Sequence, residues 1–194
     1  MQLRYYEETS FKEKKLIQET VEDCEFIDCD FENCTFEECT VVRCKFTDCR
    51  FLNCNIISLR AKDSEIKRLE FTRCNLIGIH WHDLLAEDSI SGPVESLKNC
   101  YLKYNSFVKI NFRKFDFSGN AIQDSVFEEC NLMESSFSEC KLDKTQVSDC
   151  DIRNADFRGA VGYQIDIVTN RLKGARFSFP EVVSLLNGLG IKME

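Results

Sequence analysis

Twelve cysteines, two histidines and a dense set of carboxylates are the side chains of this 194-residue chain with chemistry to offer. Cysteine recurs every fifth residue from Cys24 to Cys54, in CEFIDCDFENCTFEECTVVRCKFTDCRFLNC. Thiolates serve as metal ligands or nucleophiles, but a zinc site asks for convergent pairs at spacings such as C-x-x-C. A period of five instead keeps every thiol in one packing register, which suits a small, buried, apolar side chain. His80 and His82 flank Trp81 beside Asp83, and an H-x-H pair offers two metal ligands. Two histidines at an exposed loop edge are the plainer reading. The sequence contains no phosphate-binding glycine loop, nucleophile elbow or H-E-x-x-H. It therefore predicts no catalysis, no cofactor and no metal site.

The carboxylates remain. Residues 21–40 hold eight acids (Glu22, Asp23, Glu25, Asp28, Asp30, Glu32, Glu37, Glu38) and no base. Residues 121–140 hold five acids, again without a base, whereas 97–120 carry Lys98, Lys103, Lys109, Arg113 and Lys114 against Asp116 alone. With a net charge of −8 the chain is poorly suited to nucleic acid and better suited to a basic partner.

What positions these groups is an internal repeat. Two residues after each of the first six cysteines of the run stands Phe26, Phe31, Phe36, Val41, Phe46 or Phe51. Five residues are neither a helical nor an ordinary strand period, and one unit cannot bury a face alone, so the units must stack. The apolar phase continues unbroken from Val21 to Trp81, with charge confined to the other three places, which must face water. Fourteen of the sixteen phenylalanines take the large place and all twelve cysteines the small one two residues before it, which makes the thiols core. Asn105, Asn120 and Asn170 share the small place, where an amide can bridge stacked turns.

Residues 1–20 read as an irregular first coil, with the first array from about 11 to 81. The phase fails over 82–96, HDLLAEDSISGPVES, which reads as one inserted loop: Trp81 to Leu97 is three repeats plus one residue. A second array fills 97–177. The tail SFPEVVSLLNGLGIKME then changes period and predicts a short amphipathic α-helix over about 180–189, with Pro180 at its start. The N-terminus has no apolar leader, and no apolar run nears the ~18 residues of a membrane span. Neither export nor membrane insertion is expected, and a cytoplasmic, reducing location keeps the cysteines free.

The spacing [small or Cys]-x-[Phe/Leu/Ile]-x-x over 21–177 resembles the pentapeptide-repeat family. The resemblance implies an all-β fold: a right-handed quadrilateral β-helix of four repeats per coil, forming a single domain over 1–194 with one inserted loop and the C-terminal α-helix. On that plan Phe31, Phe51 and Phe71 stack as one ladder, and Phe117, Phe137, Phe157 and Phe177 as another. The closing RLKGARFSFPEVVSLLNGLGI is similar to the ending of the family's quinolone-resistance branch. That similarity implies a non-catalytic DNA mimic that binds a type II topoisomerase, DNA gyrase or topoisomerase IV, protecting it from quinolones without touching nucleic acid itself. The acidic face would be Glu25, Asp28, Asp30, Glu32, Glu37 and Glu38, and the loop would offer Asp83, Glu87 and Asp88. Phe179, Val182, Leu185, Leu186 and Leu189 would join a homodimer through the C-terminal helix. The chain departs from that branch in having one loop where two, one of them early, are typical. The alternative is a protein-interaction scaffold with an unrelated partner. The test between them is whether the acids line one continuous face once the chain is wrapped at twenty residues per turn.

Overall fold

The computed structural model describes residues 4–85 and 93–189. From Arg4 to Ile77 each five-residue unit makes a strand of three or four residues, too short to be stable unless it pairs with the units above and below. All pairing among the described residues is parallel and most of it joins residues twenty apart, as Phe31↔Phe51 and Phe51↔Phe71 do, so the chain is a β-solenoid with four strands per coil. Across the insertion the step is 26, as in Asn75↔Tyr101, and at Val147↔Ile165 it is 18. The first ladder starts with Arg4–Glu7 and Cys24–Ile27, the second with Ser10–Lys12 and Asp30–Glu32. The third starts with Lys15–Ile17 and Thr35–Glu37, the fourth with Thr20–Glu22 and Thr40–Val42. Beyond residue 110 much of the pairing thins to single bridges, such as Asn111↔Asn131 and Asn131↔Asp151.

The large places stack into columns of rings. Phe31, Phe51 and Phe71 lie face to face with centroids 4.7 and 5.0 Å apart. Phe117, Phe137, Phe157 and Phe177 repeat this at 4.6, 4.8 and 5.2 Å. Both columns belong to the second ladder, with Leu97 between them. The small places form a hydrogen-bond column. The Cys34 N–H donates to Cys54 Sγ at 3.4 Å, and the Cys54 thiol donates to the Phe31 carbonyl at 3.3 Å. Among the described residues all twelve cysteines are buried and free.

Corners carry the strain. From Glu8 to Asn154 the described non-glycine residues two places after a large one, Asp83 apart, sit at φ between 45° and 62°, and Gly78 and Gly119 take the same place at 65° and 72°. A non-glycine residue pays for that conformation. The corner N–H recovers a bond to the next coil, as Asp23 N–H does with the Val42 carbonyl at 3.0 Å. Gly162, the weak place in the apolar phase, is at φ +77°, where a Cβ would come within 2.8 Å of Asp143 Cα. Close approach of the two coils excludes a larger residue there.

Two expectations are corrected. The insertion is not a bare loop over 82–96: Trp81–Leu84 forms a 3₁₀ turn and Val94–Lys98 is a strand paired with Leu69–Thr72. Pairing of Phe71 with Leu97 shows that Trp81 to Leu97 spans two five-residue steps with six residues left over. The tail is likewise a 3₁₀ helix, Glu181–Leu189, where an α-helix was predicted. Val183 N–H bonds the Pro180 carbonyl three residues back at 3.1 Å. Nine residues with two β-branched valines at the start have little intrinsic drive to the α form.

Candidate interaction surface

Most inward places are filled by packing residues, so the carboxylates singled out in the sequence act from the outer surface. Glu25 stands on the first ladder and Asp28 at the corner after it. Asp30 and Glu32 are on the second ladder, Glu37 on the third, and Glu38 at the next corner. The six acids thus go round three sides of one coil. They form a collar, not a stripe along the rod.

The collar faces bases on both neighbouring coils. Lys12 reaches Glu32 at 2.7 Å from below, and Arg50 reaches Asp30 at 2.6 Å from above. Arg43 grips Asp23 through Nε at 2.6 Å and Nη2 at 3.0 Å, and these bonds hold that carboxyl below the usual carboxylate range. Glu25 is registered against Lys45, which in turn lies 3.5 Å from Glu65. Asp28, Glu37 and Glu38 enter no ion pair among the described residues, and Glu38 accepts a bond from Gln18 Nε2 at 2.9 Å. Signs alternate up some columns, as in Asp23, Arg43, Asp63, but not up all of them, since Asp28 stands one coil below Asp48.

The basic stretch resolves in the same way. Lys103 lies 3.5 Å from Asp124 and Lys109 3.6 Å from Glu129, while Arg113 and Lys114 share Glu134 at 2.7 and 3.5 Å. One coil of bases is thus stacked on the coil of acids at 121–140. These pairs, twenty or twenty-one residues apart, escaped the linear reading. Wrapping the sequence at twenty would have shown Asp30 over Arg50 and Asp48 over Arg68, which are also paired.

In the inserted segment Asp83 is exposed and lies 3.3 Å from His82 Nε2, and the His80 and His82 rings are 5.9 Å apart. Glu87 and Asp88 fall outside the described residues. No group of three metal-ligating side chains occurs among the described residues, and none of their helices is long and apolar enough to cross a membrane. At the tail, Leu185 packs on the chain's own core, and Val182 and Leu186 are half-buried. Phe179 and Leu189 remain 83% and 50% exposed, so two of the five proposed interface residues are free to meet another surface.

The family described as pentapeptide repeat region matches residues 20–90 and 100–177. No curated protein matches the chain. Among solved structures it is similar to HetL, a pentapeptide repeat protein involved in heterocyst differentiation regulation from the cyanobacterium Nostoc sp. strain PCC 7120. The two are 9% identical with a TM-score of 0.67 over 90% of this chain and 85% of that one, which is a likeness of fold. Full-length QnrB1, a plasmid-mediated fluoroquinolone resistance protein, is 17% identical with a TM-score of 0.37, over 96% of this chain and 100% of that one.

Proposed function

The chain belongs to the pentapeptide-repeat family, and on that footing we propose that it is a non-catalytic rod that binds a type II topoisomerase through outward-facing carboxylates. The observation that carries this reading is the collar at 21–40, eight acids and no base on one coil of a rigid ladder. Regular stacking holds those carboxylates at fixed intervals, which a basic DNA-binding surface can meet electrostatically. In this reading the four ladders are the sides of a right-handed quadrilateral β-helix, the protein is cytoplasmic, and two copies join through Phe179 and Leu189. Protection from quinolones is the narrower form of the same activity, with Asp83 and the rest of the insertion as its contact. The enzyme's supercoiling activity, followed with and without a fluoroquinolone across a titration of this protein, tests both forms.

A second reading has a specific observation in its favour. Bases on the flanking coils pair with Glu32, Asp30 and Asp23, so the collar is partly neutralised and does not continue along the rod as a phosphate backbone would. A scaffold for an unrelated protein needs only the straight ladders and their corners. It predicts no effect on supercoiling at any concentration tested.

A further inference from the structure

The two halves of the solenoid are filled differently. In the C-terminal half Phe107, Phe117, Phe127, Leu132, Phe137 and Phe157 are all 0% exposed. In the N-terminal half the equivalent Phe26, Phe51 and Ile66 keep 6 to 7%, and Phe36, Phe46 and Ala61 are only half-buried. The corners differ in step. Between 112 and 175 several close with a tight turn, as where the Cys140 N–H bonds the Phe137 carbonyl at 3.1 Å. Corners of the first half are held by bonds to the next coil. The fourth ladder of that half offers only Val21, Val41 and Ala61 to the axis before Trp81.

The result is an apolar cavity of about 300 Å³. Its lining begins at Tyr6, Phe11, Leu16 and Val21 in the first coil and ends at Trp81 and Leu84 in the fourth. Three coil rises of about 4.8 Å give it a length of ~15 Å, hence a mean cross-section on the order of 20 Å². That is a bore one hydrocarbon chain wide, at the small end of known ligand sites. Its mouth is not apolar. Arg4 and Lys14 occupy inward small places of the first coil, are exposed, and line the cavity. Glu19, in another such place, does not line it.

We propose that the N-terminal half of the bore binds a single-chain anionic amphiphile of the fatty-acid class. The alkyl chain lies along the axis towards Trp81, and the head group meets Arg4 and Lys14 at the mouth. Burial of each methylene drives binding, and the two cations select a negative head. This site is separate from the outward ladders and does not depend on which protein the rod binds.

Trp81 is the chain's one tryptophan and forms the floor of the bore, so it reports occupancy directly. Full-length protein is titrated with 12-bromododecanoate below its micellar range, following tryptophan emission, with dodecanoate and 1-dodecanol compared by calorimetry. Saturable quenching at one equivalent is expected, with the alcohol at least about tenfold weaker than the carboxylate. R4Q with K14Q should remove most of that difference and leave the alcohol unchanged, and Val41→Phe or Ala61→Leu, which fill the bore, should abolish binding. Should the filled variants fail to fold, a chain-length series on the native protein decides. Affinity should rise about fourfold per methylene and then level off once the bore is full. Absence of quenching, quenching without saturation, or affinity that climbs with no plateau overturns the proposal.

Discussion

Asn120 lies one coil above Cys100, and its Oδ1 accepts the Cys100 backbone N–H at 2.7 Å while its Nδ2 donates to the Leu97 carbonyl at 3.1 Å. One buried side chain thereby ties two coils, doing what a thiol does where Cys54 stands above Cys34. The small place must be compact and must accept and donate. Asn120→Ala should cost about 1–3 kcal/mol by orphaning a buried N–H, and Asn120→Cys should cost clearly less. Equal losses in denaturant melts would show that size alone governs the place.

The large place answers to volume. Phe51 is stacked between Phe31 and Phe71, so Phe51→Ala should cost about 3–5 kcal/mol through lost burial and the cavity left behind. Glu37→Ala, on the outer side of the same coils, should stay within about 0.5 kcal/mol of the native protein. Urea unfolding of both variants checks the pair.

Thiol ionisation should weaken the fold at alkaline pH. Burial pushes both Cys49 and Cys140 up to about 12. In the unfolded chain a thiol releases its proton near about 8.5. The folded state therefore keeps its full stability below that pH and loses it as the pH climbs towards 12. Replacing both by Ala, which fills the equivalent place at Ala155 and Ala160, should flatten the fall between pH 9 and 11. An unchanged slope in pH-dependent melts would point to other groups.

Phe179 and Leu189 should lie at a contact between two copies, since both are apolar and largely exposed at one end of the rod. Light scattering at micromolar concentration should give a dimer, and Phe179→Asp with Leu189→Asp should give a monomer. Leu185 is a poor choice for this test because it packs on the chain's own core. A native protein that scatters as a monomer would contradict the contact.

The stacking of the fold was legible because, away from the first coil and the insertion, the axis admits only apolar or hydrogen-bonded side chains, so phase shows in residue type. The corners were not legible. Their left-handed backbone is imposed by the geometry of the coil, and Asp23, Arg43 and Lys109 take it alike. Nor was the frame of the insertion, since a phase read in steps of five cannot say how many steps a loop replaces; pairing of Phe71 with Leu97 decides it. The surface suffered most. Residues adjacent in sequence go round the rod, and only those twenty apart are neighbours along it. An acidic stretch such as 21–40 thus becomes a collar whose partners, Lys12, Arg43 and Arg50, lie a full coil away. In the tail, the apolar pattern was plain, but two valines and a nine-residue length left the helix type to local geometry.

Binding to purified DNA gyrase, measured by calorimetry at low salt, tests the functional claim most directly. The native protein is compared with a variant in which Glu25, Asp28, Asp30, Glu32, Glu37 and Glu38 are changed to the matching amides. These residues face outward, so the variant should fold. The account predicts association with the native protein that weakens steeply as salt rises and is largely lost in the variant. No heat of binding from the native protein at tens of micromolar, with supercoiling unchanged, would contradict it and leave the scaffold reading in its place.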